Sequence, residues 1–156
     1  MTERVDFYVL NSSAARQRFT FACRLTEKAY LRDLRVVLLC DAAADVAALD
    51  ELLWTFSERS FVPHDRAGAE PAAPSAAAPV QLTPDLEGIE GADLLVNLSA
   101  RLPAGLERFQ RVAEVIDADE ERRRLGRERF KAYRDLKLPV ETHQLDETAG
   151  VQTHDH

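Results

Sequence analysis

The run Arg35-Val36-Val37-Leu38-Leu39-Cys40 constrains the fold more than any other stretch of this chain. It is aliphatic without alternation and too short for a helix, so it reads as a strand covered on both faces. A strand of that kind belongs to a parallel sheet with helices packed on each side. Its neighbours agree. Val5 to Leu10 reads as a strand with a polar Asn11-Ser12-Ser13 stop. Ala15, Phe19, Ala22, Cys23, Thr26 and Tyr30 recur at helical spacing to about Arg32. Ala43 to Phe56 repeats the pattern through Val46, Leu49, Leu53 and Phe56. Strand–helix–strand–helix is the signature of an α/β fold.

The remainder fits a single domain over residues 1–140 followed by an acidic, loosely held tail over 141–156. Ser60-Phe61-Val62-Pro63-His64 is extended around its proline, and residues 66–79 form a mobile loop rich in Ala and Pro. Val80 to Thr83 and Ala92 to Leu98 are strand candidates. Leu106, Phe109, Ala113 and Ile116 suggest a helix from Gly105 to Ile116. Asp119 to Leu136 is a second, highly charged helix, with Pro139 ending it. The expected architecture is therefore an α/β, mostly parallel sheet flanked by helices. It resembles nucleotide-binding folds but has neither a GxxxxGK(S/T) loop nor a GxGxxG turn.

Charge narrows the function. Twenty Lys and Arg stand against 27 Asp and Glu, a net charge of −7, which argues against a general or sequence-specific nucleic-acid binder. Yet Arg122 to Arg134 holds seven cations and one acid, Glu128. A local basic patch on an acidic protein suits a small anionic feature of a partner. No apolar run is long enough to span a bilayer and no signal peptide is visible, so the expected location is the cytoplasm. Two cysteines, Cys23 and Cys40, are too few for a disulfide framework or a cysteine zinc site, and no cofactor is called for. His143, His154 and His156 lack the rigid spacing of a metal site.

Two features stand out from this background. At about 100° per residue, Arg123, Arg127, Phe130, Lys131 and Arg134 share one stripe, while Leu125, Ala132 and Leu136 form another line that can face the core. Arginine forks pair with carboxylates, and a ring beside them can border an apolar slot. Trp54, the sole tryptophan, points roughly 130° away from the apolar face of its helix, as an interface anchor would. A catalytic reading would instead place a small nucleotide-binding or nucleotide-processing enzyme at the strand ends near Asn11 and Cys40. That reading lacks a phosphate loop and paired acids.

The strand Asp6-Phe7-Tyr8-Val9-Leu10, the pair Leu49-Asp50-Glu51-Leu52-Leu53-Trp54 and Ser60-Phe61-Val62-Pro63-His64, and the helix Arg127-Glu128-Arg129-Phe130-Lys131-Ala132-Tyr133-Arg134 occur in order along the chain. Together they resemble the chi subunits of bacterial DNA polymerase III holoenzyme, over about residues 4–137. The resemblance implies a non-catalytic accessory subunit that pairs with the psi subunit, and through it with the clamp loader. It also implies binding to the acidic C-terminal tail of single-stranded DNA-binding protein, which ends in phenylalanine. The tail site carried over is Trp54, Phe61, Arg123, Arg127, Phe130 and Lys131. Arg127 would hold the terminal carboxylate, Arg123 and Lys131 would meet the acids upstream, and the three rings would wall one slot. Phe130 keeps the ring but not the hydroxyl of the tyrosine found in the best-known family member.

Overall fold

The structure is a computed structural model that describes residues 2–12, 15–55, 64–66 and 79–145. Seven strands form one sheet: β1 (Arg4–Leu10), β2 (Val36–Leu39), β3 (His64–Arg66), β4 (Val80–Thr83), β5 (Ala92–Asn97), β6 (Phe109–Ile116) and β7 (Val140–Leu145). Their order is β3-β4-β2-β5-β6-β1-β7, and every pairing is parallel. Three helices flank it: α1 (Ala15–Tyr30), α2 (Ala43–Thr55) and α3 (Glu120–Asp135). The expected α/β class and the parallel sheet are both present.

β2 lies inside the sheet and is buried along its whole length. Its alternate residues serve two different cores. Val36 and Leu38 face α1 and α2, with Leu49 and Leu53 of α2 fully buried against that side. Val37 and Leu39 face the other side, where Phe7, Phe109, Val112 and Tyr133 of α3 gather. Right-handed crossovers require this arrangement. The chain moves one way across the sheet from β1 through β2 to β3, and the other way from β4 to β7. The helices of the two halves therefore lie on opposite faces.

Three expectations need correction. Residues 105–116 are not a helix. Leu106–Arg108 makes one short 3-10 turn behind Gly105, whose φ of 69° is left-handed, and Phe109–Ile116 is strand β6. The apolar positions fit a helical period, but Val112 to Ile116 is buried without interruption because both faces of the strand are covered. Residues 140–145 are not a loose tail. They form edge strand β7, and the backbone N–H of Val5 donates to the Pro139 carbonyl at 2.9 Å where the pairing begins. Finally, α3 does not turn Leu125, Ala132 and Leu136 inward. Its buried residues are Gly126, Arg129 and Tyr133, and Leu136 is 56% exposed.

The inward line of α3 is polar because it has a charge to meet. Glu114 of β6 is fully buried. Its carboxylate accepts hydrogen bonds from the Tyr133 hydroxyl at 2.6 Å, Asn97 Nδ2 of β5 at 2.8 Å and Arg129 Nε at 3.1 Å. Arg129 also donates to the Ala100 carbonyl at 2.9 Å. Gly126 lets the helix settle onto β6, since a Cβ there would sit 2.4 Å from Ile116 Cδ1. Burial pushes the Glu114 carboxyl up, and the three donors pull against it.

Removing the only cation of this group leaves a buried charge uncompensated, so Arg129→Met is expected to lose about 3–5 kcal/mol at neutral pH. In that variant the folded carboxyl holds its proton more tightly than the unfolded chain, whose value lies near 4.5. Its stability is therefore greatest in acid and falls as pH rises above that value. Urea unfolding of both proteins at pH 5 and pH 7 checks this. A loss in the variant that is smaller at pH 7 than at pH 5 would contradict the assignment.

Candidate functional site

α3 begins where the chain leaves β6. Asp119 caps it, its carboxylate accepting the Arg122 backbone N–H at 2.9 Å, and Glu120 and Glu121 complement the dipole of the first turn. The cations that follow fall into two groups. Most are committed to the fold. Arg122 forks onto the buried Asp117 carboxylate at 2.8 and 2.9 Å. Burial would raise Asp117, and the Arg122 fork together with the Asp119 backbone N–H brings it below the ordinary carboxylate range. Arg124 pairs with Glu121 and Glu128, both at 2.7 Å. Arg129 is bound to Glu114, as described, and Arg134 lies 6.0 Å above the Phe130 ring.

Arg123 donates to the Asp117 and Leu10 carbonyls at 3.0 and 3.2 Å, which fixes its guanidinium without neutralising it. Arg127 and Lys131 are exposed, and neither makes an ion pair or side-chain hydrogen bond among the described residues. They stand one turn apart, so their charges emerge side by side. Phe130 lies between the two in sequence. It is half-buried, with its ring 5.3 Å from that of Phe7, so one part belongs to the second core while the rest borders the cations. α3 thus presents Arg123, Arg127 and Lys131, none of them paired with an acid among the described residues, beside the edge of the Phe130 ring. This arrangement can hold a carboxylate and a neighbouring apolar side chain.

Trp54 does not lie on α3. Trp54 is 49% exposed near the end of α2, on the face of the sheet opposite α3. Trp54 and Phe130 thus belong to helices that pack on opposite faces of the sheet. Phe61 lies outside the described residues, as do His154 and His156.

The strand-end alternative fares poorly. Cys40 and Cys23 are both fully buried, and burial pushes each thiol up to about 12. Asn11 and Ser12 end β1, and the Ser12 carbonyl accepts the Ala118 N–H at 2.9 Å. No helix among the described residues is long and apolar enough to cross a membrane.

Sequence reasoning missed Arg129 and Tyr133 because it assigned charged positions to solvent. The signal available was Glu114, an acid inside the otherwise apolar run from Val112 to Ile116.

Residues 1–141 match the family described as DNA polymerase III chi subunit, HolC. The chain is 37% identical over 142 residues to the DNA polymerase III subunit chi of Pseudomonas aeruginosa, covering 91% of this chain and 96% of that protein. It is 29% identical over 140 residues to the Escherichia coli protein of the same name, covering 85% and 91%. The Haemophilus influenzae protein is 25% identical over 135 residues, covering 86% and 92%.

Buried thiols this weakly acidic resist modification. Ellman's reagent at pH 8 is expected to titrate neither cysteine in the native protein and both after unfolding. One fast-reacting thiol in the native state would return Cys40 to consideration as a nucleophile.

Proposed function

The chain belongs to the DNA polymerase III chi subunit family, and from that premise we propose that it bridges two partners through opposite faces of its sheet. One partner is the acidic C-terminal tail of single-stranded DNA-binding protein, bound on α3. The other is the psi subunit, which ties the chain to the clamp loader. The observation that carries the first half is the un-neutralised pair Arg127 and Lys131 beside the Phe130 edge.

Arg127 takes the terminal carboxylate as a bidentate fork, and the terminal phenylalanine ring rests against Phe130. Arg123 and Lys131 attract the acids that precede it. A disordered tail loses conformational entropy when it docks, so micromolar affinity is the natural range. The contacts are at the surface and weaken with salt.

The separation of Trp54 from α3 supports a division of labour. A half-exposed tryptophan beside the buried face of its helix suits a protein interface. With the tail on the other face, Trp54 is assigned to the psi-facing surface rather than to the tail.

Calorimetry with a peptide copying the tail separates these assignments. Arg127→Ala is expected to weaken tail binding about tenfold or more, and removal of the terminal phenylalanine to abolish it. Trp54→Ala is expected to leave tail affinity unchanged and to weaken pairing with psi. Wild-type affinity in Arg127→Ala would remove the tail site from α3. Loss of tail binding in Trp54→Ala, with the fold intact, would refute the two-face arrangement.

A further inference from the structure

β1 lies between β6 and β7, with paired strands on both sides. Side chains of a strand alternate between the two faces of its sheet, so Val5, Phe7 and Val9 point the same way. Val5 and Phe7 are buried in the second core. Val9 is only half-buried and is packed into neither core. Strands close both of its flanks, so its exposure is to the space above the second face, the face that carries α3.

Register defines what borders that space. Val9 pairs with Ile116 of β6 and with Gln144 of β7, while Phe7 pairs with Glu114 and Thr142. On the β6 side α3 sits down closely, since Gly126 stands against Ile116. On the β7 side Thr142 and Gln144 are exposed. Val9 is thus the floor of a step, with α3 as its high wall and the polar side chains of β7 as its low one.

The wall is the cationic side of the helix, and two contacts fix its direction. Arg123 donates to the carbonyl of Leu10, the residue after Val9, at 3.2 Å. The Phe130 ring lies 5.3 Å from that of Phe7, two residues before Val9. Arg129, on the far side of Gly126, reaches the Ala100 carbonyl beyond β5 instead. From Arg123 to Phe130 the helix rises about 10 Å, and from Leu10 back to Phe7 the strand spans about 10 Å. The two elements therefore run side by side in opposite directions. Arg127 lies between Arg123 and Phe130 on their stripe, so its guanidinium emerges alongside Val9.

We infer that Val9 is the floor of the tail site on α3 and selects an aromatic residue at the terminal carboxylate. The inference rests on the tail reading proposed above. Arg127 holds the carboxylate as a fork, which leaves the ring of the same residue to lie over Val9, between the Phe130 edge and Gln144. The cations supply attraction and salt dependence, and they treat all acidic peptides alike. Val9 supplies apolar area that only a nonpolar last residue covers. Specificity for the terminal ring thus comes from the sheet, and charge recognition from the helix.

The test is NMR of the full chain labelled at its valine methyls and titrated with the tail peptide, the Val9 signals being assigned by their loss in Val9→Thr. A ring stacked over methyl groups moves their resonances upfield. The peptide ending in phenylalanine is expected to move the Val9 methyls upfield, and the same peptide ending in leucine to bind more weakly without that shift. In calorimetry Val9→Thr is expected to weaken the phenylalanine peptide by about three- to fivefold, with the wild-type circular dichroism spectrum, and Gln144→Leu to tighten it by a similar factor. Binding that Arg127→Ala weakens, with the Val9 methyls unmoved, would leave the tail on α3 and overturn Val9 as its floor. No binding, or binding indifferent to Arg127→Ala, would overturn the tail reading and this inference together.

Discussion

The carboxylate of Glu114 organises this molecule. It is fully buried in β6, beneath α3, and each hydrogen bond it accepts comes from a different place: Asn97 of β5, then Arg129 and Tyr133 of α3. A buried charge is tolerated only when its donors are in position. The requirement therefore fixes the rotation of α3 about its axis, because Arg129 and Tyr133 must point inward together. Once they do, Arg127 and Lys131 have only solvent to face. The exposed positive surface follows from the buried negative charge on the other side of the helix.

Sheet topology is the second constraint. Three parallel strands are added in one direction and the rest in the other, and each helix packs on the face that right-handed crossover dictates. With three helices among the described residues for a seven-stranded sheet, coverage is uneven. α3 lies over β6 and β7 on one face; on the other, α1 lies over β2, β5 and β6 and α2 over β3 and β4. The flank of β1 and β7 on the first face is left to charged and aromatic side chains. There the buried Asp6 is neutralised by Arg4 and Arg111, and Tyr8 stacks on His143. The same unevenness isolates Trp54 from α3.

Much of this was legible in the sequence, and the failures share a physical cause. The run at β2, the strand at β1 and the amphipathic helices α1 and α2 follow from periodicity, which reports which faces are buried. β6 was misread because a strand buried on both faces carries apolar residues at every spacing, a helical one included. β7 was misread because an edge strand bears Glu141 and His143 on a face that needs no apolar cover. Arg129 was not placed on the inward line because sequence shows a charge and not the carboxylate it meets. The basic stripe itself was visible, but the pairing of Arg122 with Asp117 and of Arg124 with Glu121 and Glu128 depends on three-dimensional neighbours. The step beside α3 was invisible for the same reason. Its residues are drawn from β1, α3 and β7, and Val9 and Gln144 are neighbours only in the sheet.

An acidic protein with a positive surface requires that cations be sorted rather than spread. Here the sorting is done by acids already inside the fold. Glu114, Asp117 and Asp6 each draw arginines toward the sheet and neutralise them there. On α3, Arg127 and Lys131 are what that pairing leaves exposed. The overall charge keeps the protein soluble and repels indiscriminate polyanion binding.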